Sequence, residues 1–282
     1  MNKIGIRAHD LGQYQDAKTL AHEVEQIGFD GVQLVFKKAI SSSVDFSSLE
    51  DVKEAFNKTP KIMMLGAYFN PIHPDLAVVE TGIKNFKNHL TIAQKLNCLY
   101  VGSETGSLMG SPWGYVPENH NQANLDKVIE IFKDLTIYAA DQNAYVALEG
   151  AWAHVAHTPA RVKEIVEKVN HPHLKVTVDL YNFLNIDNYH NQLSIFDEAI
   201  RLLKDEIVIF HLKDFIVENQ KLKQVGLGQG LMKYPTIIDQ IIKNCPNAYL
   251  IFEGVVGDDI TSSLTYIKNI LGGKNNEIRC KI

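Results

Sequence analysis

Four residues able to ligate a metal or move a proton close four successive apolar runs in the second half of this chain. Glu149 ends AYVALE, Asp179 ends LKVTVD, His211 ends EIVIFH and Glu253 ends AYLIFE. Taken singly, an acid at the end of such a run is a solvated edge or a helix cap, and a lone His is a hydrogen-bonded structural residue. Brought to one axis, three carboxylates would repel one another, and a divalent cation relieves that repulsion. Three carboxylates and one imidazole suit Mn2+ best, with Mg2+, Co2+ or Zn2+ also possible. One such ion is the expected cofactor. It could hold a carbonyl and the neighbouring hydroxyl of a sugar and stabilise the enediolate left when a proton departs from carbon. Glu149 and Glu253 would then be the catalytic pair, acid and base on opposite sides of the substrate.

Such convergence needs a scaffold that brings strand ends together. Apolar runs at Lys3–Ala8, Gly31–Phe36, Lys61–Tyr68, Cys98–Gly102, Ala144–Glu149, Leu174–Asp179, Glu206–His211 and Ala248–Glu253 read as strands. Helical spacing separates them. Ala17, Leu20, Ala21, Val24 and Ile27 share one face, with Gly28 as a stop, and Leu125, Val128, Phe132, Leu135 and Ala139 share another. Thr158 caps and Pro159 opens a helix whose buried face is Val162, Ile165, Val166 and Val169. A last helix through Ile260, Leu264, Ile267 and Leu271 is expected to end at Gly272; shorter ones fall near Ser47–Phe56 and Leu193–Lys204. Strict alternation of strand and helix implies parallel strands joined by right-handed crossovers. Eight such units predict a single α/β domain over residues 1–282, a (β/α)8 TIM barrel, whose C-terminal strand ends carry the chemistry. An open doubly wound sheet is the rival, but GIRAHD is no glycine-rich first turn.

Two connections are long. Residues 103–122 are rich in Gly, Pro and aromatics, and residues 212–232 hold two short β-like pieces around Glu218–Asn219, then GLGQG. The second-tier candidates for substrate contact lie on these and neighbouring loops. Lys213 shares the parity of His211 and offers a cation to substrate, or else pairs with Asp179 or Asp214. Asp214 supports a ligand or caps a loop. His9 follows the first strand, and Asn70 and His73 follow the third. Glu104 binds a sugar hydroxyl or caps the turn after it. Asn182 lies three positions beyond Asp179. Trp113, with Tyr115, forms a lid over the C–H face of a sugar, or else a staple or an oligomer contact. His154 and His157, three apart, suggest a metal pair, but with Pro159 starting a helix His157 reads as framing of that helix or as support behind the site. GLGQG precedes the last barrel helix region, near where barrels often cradle phosphate, but it lacks the spacing of a nucleotide-binding loop and reads as a plain turn; no nucleotide cofactor is expected.

A net charge of −5 gives no general attraction to nucleic acid. Cys98, Cys245 and Cys280 are widely spaced, without a CxxC pair, as in reduced cytosolic proteins. No run reaches membrane-spanning length and the start of the chain lacks a signal-peptide pattern, so a cytoplasmic enzyme without nucleic-acid or membrane partners is expected. Assembly into a homo-oligomer stays open.

In order along the chain, GIRAHDLG, GFDGVQL, LGAYFNPIHPD, VGSETG, VALEG with HTP behind it, VTVDLYNFLN, FHLKDF, VGLGQGLMKY and IFEG resemble the sugar phosphate isomerase/epimerase family of xylose isomerase-like TIM barrels, to which the AP endonuclease family 2 members also belong. The resemblance implies one divalent metal on Glu149, Asp179, His211 and Glu253, proton transfer by the two Glu residues, and a sugar or sugar phosphate substrate. An inosose-type dehydratase uses the same parts. A nuclease of that superfamily, and a barrel that binds sugar without turnover, are less favoured readings of the same scaffold. Where the 3-epimerase branch tends to carry a His, this chain has Asn182. Where the nuclease branch has a His closing the fourth strand, this chain has Glu104.

Overall fold

Each helix starts where the sequence can satisfy its free N–H groups. In the computed structural model, which describes residues 2–41, 49–111 and 113–279, Asp16 accepts from Thr19 N (2.8 Å) to open α1 (Ala17–Ile27), and Gly28 closes it at φ 94°. Asp75 opens α4 (Leu76–Lys95), and Thr158 opens α6 (Pro159–Val169) by accepting from Arg161 N at 3.2 Å. The remaining long helices are α5 (Gln122–Asp141), α7 (Gln192–Leu203), α8 (Tyr234–Asn244) and α9 (Asp259–Arg279), with short α2 (Phe36–Ala39) and α3 (Leu49–Ala55) after the second strand. The expected helix near Ser47–Phe56 is α3; residues 47 and 48 lie outside the described residues, as does Cys280.

Eight parallel strands close into a barrel: β1 (Ile4–Arg7), β2 (Gly31–Leu34), β3 (Lys61–Gly66), β4 (Tyr100–Glu104), β5 (Tyr145–Glu149), β6 (Leu174–Asp179), β7 (Ile207–Leu212) and, after a hairpin, β10 (Tyr249–Phe252). Their order around the barrel is β1-β10-β7-β6-β5-β4-β3-β2, so the chain winds once round and closes β10 on β1. This is the expected (β/α)8 architecture. The main core fills the shell between sheet and helices, and a small second core of Met63, Met64, Ala147, Ile209 and Ile251 fills the barrel itself. Gly102 makes room for it: a Cβ there would stand 2.6 Å from the sulfur of Met64.

Two expectations are corrected. β4 begins at Tyr100 and carries Glu104 as its last residue, two positions beyond the range read from its apolar run. Its polar end is accommodated because the buried Ser103 hydroxyl accepts from Phe69 N at 3.2 Å. And α9 passes through Gly272 to Arg279, because a glycine weakens a helix by only ~1 kcal/mol and ends one only where the backbone turns left-handed. The two β-like pieces after β7 form an antiparallel hairpin, β8 (Asp214–Glu218) and β9 (Lys221–Val225), whose Asn219–Gln220 turn has φ 52° and 58°. No described helix is long and apolar enough to cross a membrane.

Candidate metal centre and active site

The register of the sheet brings the four strand-end residues together. Asp179 and His211 are direct neighbours across β6 and β7, and Glu149 and Glu253 stand at the two ends of the arc β5-β6-β7-β10. One ligand atom from each of Glu149, Asp179, His211 and Glu253 lies within 4.8 Å of every other. Asp179 and His211 are fully buried by side chain, Glu149 nearly so, and Glu253 is 14 % exposed. Buried His211 Nε2 has no hydrogen-bond partner, while its Nδ1 and Asp179 Oδ2 meet ion-pair partners, Glu253 Oε2 at 2.9 Å and Lys213 Nζ at 2.8 Å. A buried polar atom without a partner is rare, and this one belongs to one of the four candidate ligands. Three carboxylates and an imidazole with lone pairs converging on one point are a donor set that fits a divalent cation.

A shell of hydrogen bonds fixes these groups. Asn182 donates to Glu149 Oε1 (2.7 Å) and accepts from Lys213 Nζ (3.1 Å). Lys213, 8 % exposed, pairs with Asp179 Oδ2 at 2.8 Å and Glu253 Oε1 at 3.2 Å, so its partner is Asp179 and not Asp214. Arg7, the last residue of β1, reaches Glu253 Oε1 at 2.6 Å and clamps Asp10. Asp10 in turn accepts from Gly254 N at 2.6 Å, tying the first loop to the end of β10. Sequence reasoning missed Arg7: it lies one residue inside the strand read as Lys3–Ala8, whereas β1 ends at Arg7 itself, and its tie to Glu253 exists only once the barrel closes.

The charges act on one another strongly. Burial works against protonated His211, but the Glu149 and Glu253 carboxylates outweigh it and push its pKa up to about 10. Burial raises Asp179 to about 6, with Lys213 pulling the other way. Burial likewise favours the neutral form of Glu253, yet Lys213 and His211 hold it well below the usual carboxylate range. Glu104, the last residue of β4 and in register with Glu149, is raised well above that range by burial and then by the Glu149 charge. Both causes favour its neutral form, which can donate a hydrogen bond. Tyr68, partly buried beyond the end of β3, accepts from Gln33 Nε2 (2.8 Å), and desolvation with the Glu149 charge raises its pKa well above the ordinary phenol value.

A cavity of about 720 Å³ opens beside the cluster, lined by Glu104, Trp113, His154 and Asn182 among others. The expected contacts Glu104, Asn182 and Trp113 therefore share one space, and Lys213 reaches it through Asn182. His9 sits one turn beyond β1, its pKa lowered to about 4 by burial and by Arg7. Asn70 is placed differently. Its amide donates to Ser107 O (2.6 Å) and Gly110 O (3.3 Å) and accepts from Ile72 N and Ser107 N, which makes it the clasp of two loops. His73 accepts from Asp75 N at 3.0 Å and frames α4. His157 stacks on His120 at 3.6 Å, beside the start of α6. Asp214 is a loop cap: Oδ1 accepts from Phe215 N and Met232 N, and Oδ2 from Gly228 N and Gly230 N, at 2.8–3.1 Å.

Fold and site together define a metal-capable TIM barrel. The chain belongs to the xylose isomerase-like TIM barrel family, whose profile matches residues 21–268. Similar solved structures include a D-tagatose 3-epimerase-like protein, 16% identical over 98% of this chain and 99% of that one, with a TM-score of 0.77. The 3-keto-D-glucoside 4-epimerase YcjR of E. coli is 16% identical over 95% of this chain and 100% of its own, at 0.73. A xylose isomerase-like TIM barrel protein of Mycobacterium smegmatis in complex with magnesium is 15% identical over 96% of each chain, at 0.71. At these identities the likeness is one of fold. No curated protein sequence matches the chain.

Proposed function

We propose that this protein is a divalent-metal-dependent isomerase or epimerase of a small sugar or sugar-like ketone, working by proton transfer next to a carbonyl. One observation carries the reading: Glu149, Asp179, His211 and Glu253 offer four converging ligand atoms within 4.8 Å of one another beside a cavity of substrate size. The epimerases among the similar structures support it.

Glu149, Asp179, His211 and Glu253 would hold the ion, Mn2+ by preference for this donor set. When bound, it supplies Lewis acidity to adjacent carbonyl and hydroxyl oxygens. The chain supplies the rest. Glu149 and Glu253 flank the site from the two ends of the strand arc and exchange the carbon-bound proton from opposite sides of the substrate. Asn182 fixes Oε1 of Glu149, so its lone pair keeps one direction. Arg7 and Lys213 hold Oε1 of Glu253 and keep that carboxylate charged. Glu104 in its neutral form donates to a substrate hydroxyl, Asn182 borders the same space, and Lys213 acts on it through the Asn182 amide. The acidic net charge and one metal cluster among the described residues speak for a small-molecule substrate rather than nucleic acid.

The test is solvent-proton exchange into a panel of ketoses and ketose phosphates, with and without Mn2+, after metal analysis of the purified protein. Exchange is expected only with metal. Glu149→Gln and Glu253→Gln should each lower it by about 10²–10⁴-fold with the circular-dichroism spectrum unchanged. Exchange that persists in either variant refutes the assignment.

A further inference from the structure

The cavity is larger than a free sugar needs. At ~30 Å³ per water it has room for about two dozen waters, roughly twice the non-hydrogen atoms of a hexose. Its two ends differ in chemistry. Next to the metal cluster stand Glu104, Asn182 and His154, groups suited to hydroxyls and a carbonyl. The other walls include Trp113, Trp152 and Leu222, with the Tyr181 ring 5.8 Å from Lys213 Nζ between them and the cluster, and these suit the apolar face of a ring.

These outer walls are built and braced. Trp152 stacks on Tyr115 with centroids 5.3 Å apart and planes at 28°, and Trp113 stands edge-on to His154 at 5.7 Å. The β8–β9 hairpin supplies Leu222, and the Tyr181 hydroxyl donates to its carbonyl at 3.3 Å, joining the hairpin to the loop after β6. Among the described lining residues Lys221 is the single Lys or Arg, and Asp187 and Glu104 are acidic. A phosphate dianion would find one cation there, against the several donors that phosphate sites gather.

We infer that the substrate is an unphosphorylated sugar carrying a second ring, which the outer aromatic walls hold while the reacting sugar lies against the cluster. The inference rests on the reaction proposed above for its inner half only. The outer half selects by the second ring's apolar face, whether that ring is another sugar or an aromatic aglycone.

The sequence supplies its own reporter, since its two tryptophans, Trp113 and Trp152, both line the cavity. The Mn2+-loaded full-length protein is titrated, with tryptophan fluorescence as the signal, against methyl and phenyl glycosides of glucose, galactose and mannose, the disaccharide cellobiose, and glucose 6-phosphate. At least one ring-bearing probe is expected to bind about tenfold tighter than its methyl counterpart, with glucose 6-phosphate no tighter than glucose. Preference for the phenyl glycosides or for cellobiose tells which second ring is held. Trp152→Ala, read by Trp113, should bring ring-bearing and methyl probes to within about twofold. Equal affinity of methyl and ring-bearing probes, tightest binding of glucose 6-phosphate, or a ring preference undiminished in Trp152→Ala overturns the inference. Failure of proton exchange with the ring preference intact would overturn the reaction and leave this subsite standing; exchange on free ketoses without any ring preference would do the reverse.

Discussion

Lys213 bridges two of the cluster carboxylates, and replacing it separates the roles of protein charge and metal charge. Its ammonium lies 2.8 Å from Asp179 and 3.2 Å from Glu253 and donates to Asn182, with 8 % of the side chain exposed. Lys213→Met keeps the aliphatic stem and removes the charge, leaving buried Asp179 with His211 as its remaining cationic contact. Breaking a buried pair by removing one partner costs about 3–5 kcal/mol. For a chain of this size that lowers the melting temperature by on the order of 10 °C. The figure applies to protein kept in EDTA. A dication on the same carboxylates takes over their neutralisation, so saturating Mn2+ should shrink the difference between variant and wild type. At saturation the difference shrinks by RT ln of the affinity ratio, ~2.7 kcal/mol if the variant, its carboxylates freed from the ammonium, binds Mn2+ ~100 times more tightly. The assay is thermal melting of both proteins in EDTA and in Mn2+. Two results would refute the reasoning: no loss in EDTA, which denies the buried pair, or the same loss in both media, which denies that metal and Lys213 serve the same carboxylates.

Two further outcomes follow from the same geometry. In metal-free protein the His211 pKa is raised from 6.5 to about 10, so its contribution to stability is fully present below pH 6.5 and is lost as pH rises towards 10. Because a ligating imidazole must be neutral, metal affinity should move the opposite way, weakening about tenfold per pH unit from pH 10 down to 7. Calorimetric titration in buffers of different ionisation enthalpy should show about one proton released per Mn2+ at pH 7.5; none released refutes the assignment of His211. Asp214→Asn replaces one of two accepting oxygens, each serving two backbone N–H groups, by an N–H2 donor. The expected loss is about 3 kcal/mol in urea unfolding, with Mn2+ affinity little changed; wild-type stability would deny the cap.

What could be read from the sequence, and what could not, divides along one physical line. Strand ends are legible because a buried parallel strand is an apolar run that stops abruptly, and Glu149, Asp179 and His211 each stand at or next to that stop, with Glu253 one residue past it. Lys213 followed from the alternation of side chains along β7. Asp214 as a loop cap was legible as one of two roles because GLGQG follows within reach. Cross-chain pairings were not legible. Asn70 looks like a ligand for a hydroxyl until its partners, 37 and 40 positions later, are known. Arg7 meets Glu253 across 246 positions, a proximity that only barrel closure creates. The range of β4 was misjudged for a related reason: Cys98 and Leu99 are apolar, whereas the strand's polar end is stabilised by a hydrogen bond from the neighbouring loop.

The charge pattern at the barrel mouth follows from these pairings. Arg7, His211 and Lys213 all contact Glu253, whereas Glu149 has His211 at 3.4 Å and accepts from the Asn182 amide. Three cationic groups thus surround one carboxylate, and one cationic group with a neutral amide surrounds the other. Under the reaction proposed above, two acids that exchange a proton with the same carbon from opposite sides would need different proton affinities, and environment is what separates chemically identical groups. Asn182 stands at the junction, touching Glu149 through one end of its amide and Lys213 through the other. A His at that position, protonated, would place a third charge between them. An Asn keeps the link while leaving the asymmetry between Glu149 and Glu253 intact.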